Sequence, residues 1–381
     1  MKHRLAIITE IIAPYRVPVF NKLAKNPNID LHVIFLAETD TTRYQWRVDR
    51  EAINFSYEIL PSWRKRIGGW DFLFNWSLDE TLSRLRPDTI LCGGYNYVAS
   101  WRALHWAKQS HVPFWLWVES TSSDRRSGSP LVESLKLRFM RQCDGFVVPG
   151  ISARDYIKTY RGSAAISLAP NAVDTNFFST HSARIRKEAP ELRRQLGLPA
   201  KYFLFVGRFV SAKGILDVLE AYSLLPSSVS DEVGLVLIGD GAARTRLERR
   251  AAKICHGAVQ IRGFAQQKEL ATYYGLAEIF VFPTHTDPWG LVVNEAMSCG
   301  LPVICSSAAG CAADLVRDGV NGRIVTPSDI GQLTSAMEEL ASDRETASRF
   351  GQQSQQIISH YSPAACAAGI AEIIGPKRAA A

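Results

Sequence analysis

The stretch 279-IFVFPTHTDPWGLVVNEAMSCGLPVI-304 sets four apolar, β-favouring residues before a polar loop, then a run of helical spacing, then a second apolar strand. Strand, crossover helix and strand in that order make a parallel unit, so the stretch argues for an α/β sheet. Within it Asp287 stands in the loop, Gly290 follows, and Glu295 falls eight positions after Asp287, inside the helix. A helix starting near Gly290 leaves the amides of Leu291 and Val292 as first-turn donors without intrahelical partners, suited to phosphate oxygens. Glu295, about one turn in, can accept from paired hydroxyls such as those of a ribose. Asp287 would then lie nearer a sugar beyond the phosphates. The competing reading makes Asp287 a helix cap and leaves Glu295 on a solvated face.

Outward from this unit the same alternation continues. In the second half strands are predicted at 202–206, 233–238, 258–261, 279–282, 302–305 and 323–326; in the first half at 3–9, 31–36, 88–92, 113–118, 144–148 and 165–169. Helical spacing falls near 17–25, 72–85, 97–109, 130–142 and 151–160, and after 328 it runs to the end with a break at Ser362–Pro363. Two parallel sheets of similar size follow, and 381 residues suffice for two cores. The polar, proline-punctuated segment 170–192 has the composition of an interdomain linker, which puts the boundary near 171–190. The expected organisation is an N-terminal domain over 1–172, a second over 173–358, and a helix over 359–381 crossing back to the first. Ligands of open parallel sheets bind outside the carboxyl ends of the strands, and two such domains facing each other would share one deep cleft.

Two further loops sit at predicted strand ends. YFLFV (202–206) runs into Gly207-Arg208-Phe209-Val210-Ser211-Ala212-Lys213-Gly214 and then a helical run, so Arg208 and Lys213 can point at one volume beside a helix N-terminus, an arrangement that suits a diphosphate. Arg262-Gly263-Phe264 follows the strand near 258–261, where a glycine lets backbone approach a flat base. Taken singly, the 207–214 loop reads more readily as a solvated loop, and the Gly263 turn nearly as readily as one without a ligand.

The ordered set resembles the family-4 retaining glycosyltransferases of GT-B fold over nearly the whole chain: Gly207-Arg208 with Lys213-Gly214, Ile238-Gly239-Asp240-Gly241, Gly263, the acidic pair 287/295 with Glu295-Ala296-Met297, Gly300-Leu301-Pro302-Val303, Asp318-Gly319-Val320-Asn321-Gly322, and Pro170-Asn171-Ala172-Val173-Asp174 at the domain junction. The resemblance implies two Rossmann-like domains facing each other across a cleft, and transfer of a sugar from a nucleotide-diphosphate donor to a saccharide or lipid-linked saccharide in surface polysaccharide or glycoconjugate synthesis. Arg208, Lys213, Asp287 and Glu119 would be catalytic. Gly207, Arg208, Lys213, Gly263, Phe264, Asp287, Trp289, Gly290, Leu291, Val292 and Glu295 would bind donor, and Tyr15, Arg16, Tyr95, Glu119 and Asn171 acceptor. No Asp-x-Asp motif offers a metal site, so neither metal nor other cofactor is expected beyond the donor substrate.

The chain departs from the family pattern at three places. Asp287 stands where Glu is usual, the first βα turn reads Glu10-Ile11-Ile12-Ala13-Pro14-Tyr15-Arg16 without its glycines, and Glu119-Ser120 replaces a common His. Glu119 is either a sugar or acceptor contact or a structural carboxylate bonded to nearby backbone. A nucleotide-sugar 2-epimerase and a non-catalytic nucleotide-sugar-binding protein are the rival readings.

Charge is divided unevenly. Residues 1–170 hold 23 Lys and Arg against 16 Asp and Glu, the rest of the chain 21 of each, and eight of the nine tryptophans lie in the first half. Arg125, Arg126 and a helix at 130–141 with apolar residues at 131, 135 and 139 suggest contact with an anionic membrane, as does Trp63-Arg64-Lys65-Arg66 before Trp70, Phe72, Phe74 and Trp76; an ordinary packed helix is the plain alternative. Dispersed cations and the lack of a recognised motif argue against nucleic acid. With no apolar run long enough for a membrane span and Glu10 too early for a signal peptide, a cytoplasmic protein, peripheral at the inner face of the cell membrane, is expected. Seven cysteines without a Cys-x-x-Cys pair read as buried thiols.

Overall fold

The computed structural model describes residues 1–39, 46–67, 70–122, 130–254 and 257–374, with the backbone alone at 66, 67, 70, 71 and 131. Arg125, Arg126 and Cys255 lie outside the described residues, as does the side chain of Trp70. The other six cysteines are buried free thiols.

The chain forms two compact units, Met1–Ala172 with Pro363–Ala381, and Val173–Ser362. The first contains β1 (His3–Thr9), β2 (Ile29–Phe35), β3 (Ser56–Ile59), β4 (Trp63–Ile67), β5 (Trp70–Phe74), β6 (Thr89–Cys92), β7 (Phe114–Trp117), β8 (Gly145–Val148) and β9 (Ala165–Leu168). Seven of these make a parallel sheet in the order β3-β2-β1-β6-β7-β8-β9. Its central strands are buried on both faces, one core gathering Ile8, Ile90, Leu116 and Phe146, the other Ile7, Val33, Leu91 and Val147. That double burial is why they read as unbroken apolar runs. The terminal helix Pro363–Ala371 packs on the helix Val17–Ala24, and Ser167 donates to the carbonyl of Gly369 (2.7 Å) and to Glu372 (2.8 Å).

The second unit contains β10 (Lys201–Val206), β11 (Val233–Ile238), β12 (Val259–Arg262), β13 (Ile279–Phe282), β14 (Val303–Ser306) and β15 (Gly322–Val325), parallel in the order β12-β11-β10-β13-β14-β15. Strand order reverses between β10 and β13, just as it reverses between β1 and β6 in the first sheet. These are the topological switch points where loops part and leave a crevice.

Three expectations need correction. The segment 170–192 is not an irregular linker: helices Thr175–Lys187 and Ala189–Leu196 occupy most of it. Asp174 caps the first by accepting from the Phe177 amide (3.0 Å), while Phe178, Ser182 and Ile185 are buried, so the polar composition is the solvated face of an amphipathic helix. The helix expected over 72–85 begins only at Leu78, because 70–74 is β5, paired antiparallel with β4. Phe72 and Phe74 are exposed while Leu73 is buried, an alternation of period two. The edge strand β3 was not foreseen; SYEI is too short and polar to stand out.

Candidate active site

At the switch point of the second sheet, the loop after β10 and the loop after β13 are fastened together. Gly214 has φ 65°, and a Cβ there would meet the carbonyl oxygen of Pro283 at 2.1 Å, so only glycine permits this approach. The Ala212 carbonyl accepts from the His285 amide (2.9 Å) and the Thr284 hydroxyl (2.9 Å). His285 Nε2 also lies 2.6 Å from Asp217 Oδ2, in the first turn of the helix Ile215–Ser223. These contacts bring Lys213 Nζ to 2.5 Å from Asp287 Oδ2 and 3.2 Å from the Thr286 carbonyl. With 12% and 18% of their side-chain surfaces exposed, the ion pair is largely shielded from water.

Asp287 Oδ1 accepts from the Trp289 amide (3.1 Å), so both carboxylate oxygens are engaged within the loop. The first of the two acidic residues therefore anchors Lys213 here, and contact with a sugar would require one of those bonds to be shared. Gly290, with φ 99°, turns the chain into the helix Leu291–Ser298. Among the described residues no acceptor meets the N–H groups of Leu291 and Val292, which leaves them open to an anion. Arg208, exposed beyond Gly207, makes no side-chain hydrogen bond or ion pair with any described residue. Trp289 is buried, its indole N–H donating to Asn294 Oδ1 (2.8 Å); its ring belongs to the core, and only its backbone faces the loop.

One turn into the same helix, Glu295 Oε2 accepts from the hydroxyl of Tyr274 (2.8 Å), on the helix Gln267–Leu276. Burial pushes the Glu295 carboxyl up to about 7, against the lowering effect of that hydrogen bond. Nothing in the sequence pointed to Tyr274. At the end of β12, Gly263 is exposed and a Cβ would meet nothing within 4 Å, so local packing does not demand glycine there; Phe264 beside it is exposed. Arg262 is tied back to the Leu196 carbonyl (2.8 Å).

The switch point of the first sheet is built differently. Arg16, from the turn after β1, donates to Thr9 Oγ1 (3.1 Å) and to Glu119 Oε1 (3.0 Å), and its guanidinium lies 4.4 Å from the Trp117 ring centroid. Burial works against its charge, yet Tyr15 and Glu119 hold the guanidinium above its ordinary range. Of the two readings of Glu119, the structure thus gives it a side-chain partner, Arg16, rather than backbone. Arg64 of β4 closes a second ion pair with Glu10 at 2.6 Å. Tyr15 packs edge-on against Trp46, Tyr95 packs near Phe139, and Asn171 is buried at the end of the unit. Arg64, Thr9 and Trp117 were not among the expected site residues; Arg64 at least stood in a noted basic run.

Among the described residues no group of three His, Cys, Asp or Glu side chains is placed to hold a metal ion, and no helix is long and apolar enough to cross a membrane.

Residues 188–357 match the family described as "Glycosyl transferases group 1" and residues 21–177 "Glycosyltransferase Family 4". The chain is 30% identical over 185 residues to a D-inositol 3-phosphate glycosyltransferase of Xylanimonas cellulosilytica, covering 46% of this chain and 43% of that protein. It is 29% identical over 233 residues to a sulfoquinovosyl transferase of Arabidopsis thaliana, covering 59% and 43%. The chain thus spans about half the length of the curated relatives it matches. Among solved structures, Anabaena HepE in complex with UDP and glucose superposes with TM-score 0.75 at 18% identity, covering 98% of this chain and 99% of that one. Sucrose-phosphate synthase from Thermosynechococcus elongatus does so with TM-score 0.74 at 19% identity, covering 98% of each chain. The two-domain α/β fold is that of the GT-B glycosyltransferases.

Proposed function

We propose, from the premise that the chain belongs to the family-4 glycosyltransferases, that it is a retaining, metal-independent enzyme moving a sugar from a nucleoside-diphosphate donor to a saccharide or lipid-linked saccharide. One observation carries the reading: at the second switch point an unpartnered Arg208, the Lys213 ammonium and two open helix amides occur on adjoining loops. That grouping suits the negative charge that grows on a departing diphosphate. Glu295 would accept from the donor ribose, and the open space at Gly263 would admit the base edge. Complexes of HepE with UDP make a uridine diphosphate donor the first to try.

In the proposed step an acceptor hydroxyl attacks the anomeric carbon on the side from which the diphosphate leaves. The carbon–oxygen bond to the diphosphate breaks, and the hydroxyl proton passes to a diphosphate oxygen. Arg208 and Lys213 stabilise the leaving charge, so the reaction is proposed to need neither a metal nor a dedicated protein base. Arg16 and Glu119, with Tyr15, Tyr95 and Asn171 near the same end of the first sheet, would hold acceptor hydroxyls. The acceptor would belong to a surface polysaccharide or its lipid-linked precursor, and the protein would work at an anionic membrane face inside the cell.

A thermal-shift screen with UDP-, GDP-, ADP- and dTDP-sugars identifies the donor, since a ligand of the native state raises apparent stability. NMR of the product then reads its anomeric configuration. Retention supports the mechanism and inversion refutes it; conversion of donor without any acceptor would indicate the epimerase instead.

A further inference from the structure

Four of the five exposed Trp and Phe side chains among the described residues fall within 63–76: Trp63, Phe72, Phe74 and Trp76, the fifth being Phe264. They belong to or adjoin the ribbon of β4 and β5, a two-stranded sheet separate from the seven-stranded one. The antiparallel register sets Trp63 opposite Phe74, Arg64 opposite Leu73 and Lys65 opposite Phe72. Directly paired residues share a face, so the ribbon has two distinct sides. The inner side is anchored, with Leu73 buried and Arg64 bound to Glu10. The outer side presents Trp63, Lys65, Phe72 and Phe74, and Trp76 follows it; the four aromatics are 40–57% exposed. Arg102 lies over the Phe74 ring at 5.5 Å.

The helix Pro130–Gln142, to which the sequence also pointed, does not offer such a face. Phe139 and Met140 are buried whereas Leu135 is exposed, and Lys136 turns inward, its ammonium 4.5 Å from the Tyr156 ring centroid. Leu135 and Phe139 of the expected stripe therefore fall on opposite sides, the side chain of Leu131 lying outside the described residues, and the helix is held by packing.

We propose that the outer face of the β4–β5 ribbon docks on an anionic lipid surface. Tryptophan and phenylalanine rings beside cations suit the headgroup region, where a ring meets acyl chain on one side and polar groups on the other. Residues 1–170 carry a formal excess of seven positive charges, complementary to an anionic leaflet. A second copy of this chain carries the same formal excess and so offers no such complement. The inference deepens the membrane contact named under the proposed function, and its test does not depend on sugar transfer.

The test is co-sedimentation of the full chain with vesicles of phosphatidylcholine alone or with about one-third phosphatidylglycerol. The mixed vesicles should carry down the parent protein. Trp63→Ser combined with Trp76→Ser should lower the partition about tenfold or more, Lys65→Glu several-fold, and Leu135→Ser on the packed helix not at all. Melting temperature and stabilisation by UDP-, GDP-, ADP- and dTDP-sugars are followed in parallel. Loss of vesicle binding with both retained isolates the ribbon, whereas absence of any nucleotide response with intact vesicle binding counts against the donor reading alone. If the double variant melts below the parent, Lys65→Glu carries the test. The proposal is overturned by failure to bind either vesicle, by equal binding of parent and ribbon variants, or by self-association in sedimentation velocity that the ribbon changes abolish.

Discussion

Both sheets reverse strand order near their centres, and both place charged residues there, yet the two ends differ in how the charges are balanced. At the end of the first sheet two described cations have carboxylate partners, Arg16 with Glu119 and Arg64 with Glu10. At the end of the second, Lys213 has Asp287 but Arg208 has no described partner, and the amides of Leu291 and Val292 stand open. A balanced site suits uncharged hydroxyls, since an added anion would compete with carboxylates already in place. An unbalanced one with a helix N-terminus attracts phosphate. On the proposed function, the two sheet ends would serve donor and acceptor through this difference in local neutrality.

The most severe way to break this contrast is to remove the unbalanced charge. Arg208→Ala or Lys213→Ala is expected to lower kcat by about 10²–10³ in a protein that remains folded, because a preorganised donor to the leaving group is lost; steady-state rates with the identified donor, beside a melting curve, measure it. Full activity in both variants would remove the assigned roles.

The corresponding change at the first end should appear in stability as well. Arg16→Ala strands Glu119 and removes the cation from the Trp117 face, and urea unfolding should show a loss of about 1–3 kcal/mol. Glu119→Gln keeps an acceptor for Arg16 and should cost less, about 1 kcal/mol. Equal, negligible effects would mean that the pair is not what organises this end.

Glu295 sharpens the comparison through pH. Its folded carboxyl holds a proton to about 7, whereas the ordinary value is 4.5. The unfolded chain therefore ionises first, and stability falls as pH rises between those values; Glu295→Gln should flatten that slope. Ribose hydroxyls donate to the ionised form, so donor binding should strengthen as pH rises towards and through 7, by up to about tenfold per unit below it. Calorimetric titration across this range reads the effect, and a flat profile in the parent protein would contradict it. The smallest expected effect on stability is at Gly263: Gly263→Ala should change it by less than about 0.5 kcal/mol, since the added methyl meets nothing. A clear fall in donor affinity in that variant would place the base there.

Much of this was legible because parallel strands buried on both faces leave continuous apolar runs, and because functional loops follow them directly. Arg208, Lys213, Gly290 and Glu295 could be singled out as candidates by their place after predicted strands, while their proposed roles came from the ordered set and its family resemblance. What escaped notice depended on partners remote in sequence. Tyr274 is an ordinary helical tyrosine until the fold brings it to Glu295, 21 positions away. Arg64 reads as part of a basic run until β4 carries it to Glu10. The β5 segment imitated a helix because five residues are too few to separate a period of two from one of 3.6. In Pro130–Gln142 the helix itself was clear, but its buried face was not, since Lys136 lies inward against Tyr156 and Leu135 outward.

The contrast between the two strand ends is tested most directly by a crystal structure of the full chain with whichever of UDP, GDP, ADP or dTDP stabilises it most. The account predicts diphosphate density within hydrogen-bonding reach of the Leu291 and Val292 amides and the Arg208 guanidinium, with the Arg16–Glu119 pair intact. A diphosphate seated instead on Arg16, with Arg208 and the helix N-terminus left vacant, would contradict it.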